Sequence, residues 1–250
     1  MVFKIFGHSL RLVFGNLDDA LRVSGILYLL SSGLGLAVTL NMPGRQPSGA
    51  LPNLNSAQTG LFILIYVVNL IVGIWIAVAW HRYVLVDEKP DSILPTYSGR
   101  RILSYFGYFL LLTLVGMALG AIAGVLFAIF AVLQAAWLAV PIAIIGVALV
   151  FVVIFRLSIV LPASSVEKPM KLRDAWEATE GTTWTILGIV LLTILAGLLL
   201  QLPVFGLLAA HWTFAADVWA AATGWVFLMF NICLATTMYG VYVEKRAIPS

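Results

Sequence analysis

Histidine, cysteine, arginine and asparagine side chains set in apolar sequence are the places where this chain could do chemistry. Their spacing argues against most of it. The three histidines, His8, His81 and His211, fall at the edges of apolar stretches. The topology argued below puts His8 and His81 at one end and His211 at the other, so they cannot converge on one metal ion. A single cysteine, Cys233, excludes an intrachain disulfide and a CxxC site, and reads as a small core residue. No GxSxG, P-loop or HExxH motif is present. The expectation is a protein without catalytic residues, metal or cofactor, and not an enzyme.

Charged and strongly polar groups within apolar runs are the next pointers to function. Arg82 and Arg156 lie near the inner ends of two such runs. Each is expected either to snorkel toward lipid phosphate or to join a network with Glu88, Glu167 or Glu244. Asn69 and Asn231 are the deepest amides; they are expected to make interhelical hydrogen bonds, or else to touch a substrate. Gly116, Gly120 and Gly124 form a GxxxGxxxG run that reads as a helix-packing surface, within the bundle or between copies.

The elements that must position these residues follow from composition. The chain has 250 residues, 62% hydrophobic and 10% charged, with a mean hydropathy of +1.06. Soluble domains average about 45–50% apolar and about 25% charged, so too few charges are present to coat a water-soluble surface. The net charge of +3 comes without a dense basic run, and no nucleic-acid partner is implied. A spanning helix needs about 20 apolar residues. Six spans are expected, near 20–40, 60–85, 102–132, 137–161, 184–202 and 218–243. The third and fourth come from one apolar tract, 102–161, which as a single helix would be about 90 Å long. Gln134, Trp137 and Pro141 mark the break. Loops at 41–58, rich in Pro and Gly, and at 202–217, with His211, Trp212 and nearby Trp219, are expected on the outer side. The first span lacks a small-x-small cleavage site and is expected to remain as an anchor.

Of the 14 Lys and Arg residues, 13 fall at the N-terminus, after the even-numbered spans or at the C-terminus; Arg45 is the exception. The positive-inside rule then places both termini in the cytoplasm.

An acidic-basic tag recurs at the inner end of each hairpin: Glu88-Lys89, Glu167-Lys168 and Glu244-Lys245. The glutamates are 79 and 77 residues apart, which fits three hairpin repeats. Two inner segments are amphipathic. Residues 1–19 are expected to form an interfacial helix with Phe3, Phe6, Leu10, Val13, Phe14 and Leu17 on its apolar face, leaving Ile5 and Leu12 as exceptions. Residues 170–183 place Leu172, Ala175, Trp176 and Thr179 on one side, opposite Arg173 and Glu177, which can pair at i, i+4. Before the third span, Pro95 and Gly99 interrupt the equivalent stretch.

Residues 155–188 read FRLSIVLPASSVEKPMKLRDAWEATEGTTWTILG. An Arg-bearing helix end, Leu-Pro, an acidic turn and Leu-x-x-Ala-Trp-x-x-Thr-x-Gly leading into a new span resemble the glycerophosphoryl diester phosphodiesterase membrane-domain family and its standalone bacterial relatives. Elsewhere the likeness is one of topology. Some relatives carry a soluble phosphodiesterase domain; these 250 residues leave no room for it and lack its acidic metal-binding motifs. The resemblance therefore implies a bacterial inner membrane but no activity and no carried-over site residues.

The reading that follows is a non-catalytic membrane scaffold or accessory protein whose partners are membrane lipids and other membrane proteins or a second copy of itself. The competing reading is a transporter or lipid-handling protein. A cavity lined by Asn69 and Asn231 would favour the latter, and a solid bundle the former. For topology, reporter fusions at Ser48 and Ala210 should report the outer side and fusions at Lys168 and Ser250 the inner side; an outer C-terminus would overturn the assignment.

Overall fold

The computed structural model describes residues 1–40, 55–89, 94–133 and 135–248. Its described residues form α1 (Val2–Phe14), α2 (Leu17–Leu40), α3 (Ser56–Val86), α4 (Gly99–Val132), α5 (Ala136–Leu157), α6 (Val160–Ser165), α7 (Leu172–Ala178), α8 (Thr183–Ala209) and α9 (Thr213–Tyr242). The protein is an all-α membrane protein. Six helical segments are long and apolar enough to cross a bilayer: α2, α3, α4, α5 with α6, α8 and α9.

Local signals set several boundaries. Asn55 and Gln58 exchange hydrogen bonds in a capping box, so α3 starts within the stretch expected to be loop; residues 41–54 of that loop lie outside the described residues. Gln134, assigned to the break between the third and fourth spans, also lies outside them. Gly99 opens α4 rather than interrupting a preceding helix, and residues 95–98 are not helical. The fifth span runs through Pro203 to Ala209, and the sixth begins at Thr213, leaving a short connection where a longer loop was expected. Pro203 lies inside α8 and is exposed. Pro141 lies inside α5, beyond its first turn.

The hairpins α2/α3, α4/α5 and α8/α9 lie side by side, and α9 sits at the centre, touching α1, α2, α3, α6 and α8. Packing is uneven along the bundle. The buried residues of α9 run almost without interruption from Met229 to Tyr242, those of α3 concentrate from Ile74 to Leu85, and α4 buries only Tyr105 and Leu112. These positions share the end of the bundle where both termini and most basic residues lie, here called the basic end. Toward the opposite end α4 and α5 expose Leu126, Phe127, Ile129, Ile144 and Ile145.

Three helix ends at the basic end close alike. Asp87, Glu167 and Lys245 take left-handed φ values of 54°, 61° and 57°. The next amide in each case turns back onto the helix: Glu88 N–H donates to Arg82 O, Lys168 N–H to Ala163 O and Arg246 N–H to Gly240 O. These closures fall at the three tags but in different register: the left-handed residue precedes Glu88, is Glu167 itself and follows Glu244, and the fourth span alone breaks into α5 and α6. His211, at the other end, has the same left-handed geometry at φ 61°.

The two amphipathic segments do pack as helices, with corrections. Helix α7 covers only residues 172–178; Ala175 and Thr179 are buried as expected, and Arg173 pairs with Glu177 at 2.7 Å. Helix α1 buries Ile5, Ser9 and Val13; of the expected apolar face, Val13 is buried, Phe6 and Leu10 pack against the core, and Phe3 and Phe14 stay exposed, while Ile5, set aside as an exception, turns inward. The reason is that α1 meets α8 and α9 as well as the surrounding medium. Val2 packs where a Cβ on Gly188 would come within 2.9 Å of its Cγ2, and Ser9 Oγ, which donates to Ile5 O at 2.9 Å, lies 3.1 Å from Thr237 Oγ1. Truncating Ile5 to Ala should therefore lower detergent stability by about 2–5 kcal/mol, and Phe3→Ala should change it by no more than about 0.5 kcal/mol. Thermal melting of both variants tests this; a larger loss for Phe3→Ala would refute the packing of α1.

Candidate functional site

A cavity of about 360 Å³ lies between α3, α4, α5/α6 and α9. That volume is within the range of small-ligand sites, about 300–1,000 Å³. Its wall is apolar apart from Asn69, Tyr105, Ser158 and Asn231. It exists partly because α3 presents Gly73 and Ala77 to it, and a Cβ at Gly73 would meet nothing within 4 Å. A second, surface groove along Phe62, Ile65 and Tyr66 also reaches Asn69, so the exposed Asn69 stands where the groove meets the cavity.

The asparagines expected to bridge helices do not. Asn69 Nδ2 donates to Ile65 O at 2.9 Å and Asn231 Nδ2 to Phe227 O at 2.7 Å, each on its own helix. Local i−4 bonding satisfies one N–H of each amide and leaves the rest of the group beside the cavity. Interhelical polar contacts come instead from residues with a hydroxyl or ring nitrogen. Tyr28 Oη donates to Ala221 O, and Trp225 Nε1 to Ser24 Oγ, both at 2.8 Å. Trp80 Nε1 donates to the buried Cys233 Sγ at 2.9 Å. His81 is fully buried, with Nδ1 at 2.8 Å from Thr236 Oγ1 and Nε2 at 3.3 Å from Tyr105 Oη. Sequence placed His81 at the membrane edge; α9 covers it, which no local pattern reveals.

Arg82 and Arg156 do not converge. Arg82 Nε donates to Glu88 Oε2 at 2.6 Å, its Nη2 contacts the same oxygen, and Nη1 donates to Ser165 O at 3.0 Å. Arg101 bridges the two glutamates of the first two tags, lying 3.3 Å from Glu88 and 2.8 Å from Glu167. Arg82, Arg101, Glu88 and Glu167 thus tie α3, α4 and the end of α6 together. The hydrogen bond from Arg101 holds the Glu167 carboxyl below the usual carboxylate range. Its contribution is therefore present above the ordinary carboxylate pKa and is lost only as pH falls through the lowered value. Arg156 turns the other way. Its guanidinium carbon lies 3.6 Å from the centre of the Trp176 ring, Nε donates to Thr179 Oγ1 at 3.0 Å and Nη2 to Trp176 O at 2.8 Å. It is 6% exposed and closes the C-terminal end of α7, which rules out snorkelling. Of this set, sequence reasoning missed Arg101. It stood among the basic residues, but its pairing across 66 positions had no local signal.

Within the bundle, Gly116 alone of the glycine run packs on another helix, where a Cβ would meet Ile154 Cδ1 at 3.4 Å; Cβ atoms on Gly120 and Gly124 would meet nothing within 4 Å, which leaves those two for the expected packing between copies. The close approach of α4 to α5 occurs at Gly146, whose Cβ would lie 2.9 Å from Ala123 Cβ.

No protein-family model matches the chain, and no curated protein or solved structure is detectably similar to it.

The two arginines separate by experiment. Arg156→Lys loses the flat stack on Trp176 and the paired hydrogen bonds, and should cost about 1.5–3 kcal/mol in detergent melting. Arg82→Lys keeps a cation beside Glu88 and should cost about 1 kcal/mol or less. An equal or reversed order would contradict these two environments.

Proposed function

We propose that this is a non-catalytic, lipid-handling protein of the bacterial inner membrane, with both termini in the cytoplasm, that takes a neutral apolar molecule into the cavity between α3, α4, α5/α6 and α9. The observation that carries the reading is the cavity itself, lined by both Asn69 and Asn231 in an otherwise apolar wall. A solid bundle would have favoured a purely structural role. The groove at Phe62–Tyr66 supports it further, because it leads from the lipid-facing side of α3 to Asn69. The basic residues at the end carrying both termini support the orientation, and the 155–188 stretch supports kinship with the phosphodiesterase membrane-domain proteins.

A scaffold role draws on a separate observation. The outer halves of α4 and α5 present Phe127, Ile129, Ile144 and Ile145 outward, a surface that could meet other membrane proteins. The cavity is the more specific feature, because lipid alone covers an apolar helix face.

Gly73→Leu adds a side chain at a position that lines the cavity and where a Cβ meets nothing within 4 Å, and serves as the test. Protein purified in mild detergent should carry a co-purifying neutral apolar molecule, detected by native mass spectrometry and organic extraction. The Gly73→Leu variant should lose at least about four-fifths of it and melt higher, by up to about 2 kcal/mol, as filled cavities do. Equal occupancy in the two proteins would refute cavity binding.

A further inference from the structure

We infer that the cavity selects a neutral molecule bearing a hydrogen-bond donor, such as a long-chain alcohol or a diacylglycerol, over a fatty-acid anion or a phosphate-headed lipid. The inference rests on the cavity-binding reading above and adds the chemistry of the occupant's head.

Where the protons of the lining lie follows from partners that can only accept. Thr236 Oγ1 is 2.8 Å from Ile232 O and 2.8 Å from His81 Nδ1. Assigning the Thr236 hydroxyl proton to Ile232 O, which can only accept, makes His81 Nδ1–H the donor to Thr236. In the neutral ring this leaves Nε2 as an acceptor, and Tyr105 Oη donates its proton to it across 3.3 Å. The phenol therefore has only lone pairs left to offer. Ser158 is in the same position, because Oγ donates to Phe155 O at 2.8 Å. The amides of Asn69 and Asn231 each have one N–H engaged on their own helix, leaving a carbonyl oxygen and one N–H.

On this assignment the four polar residues of the lining carry four acceptor groups against two free N–H donors, and the lining includes no Lys or Arg. The cation nearest in sequence, Arg156, is engaged by Trp176 and Thr179 on the far side. A carboxylate or phosphate entering here would lose its water and meet an excess of lone pairs, which is strongly unfavourable in an apolar wall. A hydroxyl finds acceptors on Tyr105, Ser158 and the asparagines, while its chain occupies the apolar remainder.

The experiment uses the full-length protein in nanodiscs and aminoanthracene, a fluorophore that brightens in apolar sites, with Gly73→Leu as the blank. Decanol, decane and decanoate, the last at mildly alkaline pH, are titrated as displacers. Decanol should displace the fluorophore at about fivefold lower concentration than decane, the worth of one net hydrogen bond. Decanoate should be weaker than decanol by about tenfold or more. In Tyr105→Phe and, independently, in Ser158→Ala, the advantage of decanol over decane should shrink while decane is unaffected. Ser158→Ala keeps the test open if loss of the Tyr105 hydroxyl disturbs His81. Should the fluorophore bind the wild type no better than Gly73→Leu, the cavity-binding reading itself fails. Should it bind, and decanoate or decane displace it as well as decanol, or both variants keep the full preference, the binding reading stands and the donor-selective cavity is overturned.

Discussion

The structure depends on satisfying the polar side chains of α9 where that helix is buried. From Met229 to Tyr242 the helix is enclosed on nearly every side, yet it carries Cys233, Thr236 and Thr237 on its buried surface. An unpaired hydroxyl in such a place costs about 1–3 kcal/mol. Each of these residues therefore dictates a neighbour. Cys233 meets Trp80, Thr236 meets His81, and Thr237 meets Ser9. Those three contacts bring α3 and α1 to their places, and through His81 they bring α4 as well, since Tyr105 reaches the same ring.

The cavity is the other face of that arrangement. Small residues on α3, Gly73 and Ala77, line the cavity between α3 and α9, and a Cβ at Gly73 would meet nothing within 4 Å. Apolar gaps of this kind reduce stability in a water-soluble core. The groove at Phe62 to Tyr66 shares Asn69 with the cavity, and a chain bound in such a gap would restore the missing contacts.

The spans were legible because lipid leaves no alternative to continuous apolar helices, so length and composition suffice. Their partners were less so. In water an apolar stripe marks the core, but in a membrane helix both lipid and protein accept apolar side chains, and periodicity loses its meaning. Helix α1 shows this: Phe3 and Phe14 belong to the apolar face and are exposed, while Ile5, discounted as an exception, is buried with Ser9 and Val13. Asn69 and Asn231 both line the cavity, but their bonds to their own helices could not be read without the rotamers. Arg82 with Glu88 was legible because both belong to one helix end. Arg101 with Glu167, and Arg156 with Trp176, required knowing which hairpins adjoin.

The unequal packing along the bundle has a mechanical side. At the basic end, ion pairs, buried hydrogen bonds and large aromatic side chains clamp the helices; at the other, α4 and α5 stand exposed, with open space at Gly120 and Gly124. Away from the basic end the ties are fewer, among them Trp219 Nε1 donating to Leu200 O at 2.9 Å. α4, at 34 residues and about 51 Å, exceeds a hydrocarbon layer of about 30 Å. A stretch that long is accommodated by tilting, kinking or local thickening of the bilayer, and the exposed far halves of α4 and α5 are the least enclosed part of the bundle that meets it, whereas the cavity lies among the buried halves.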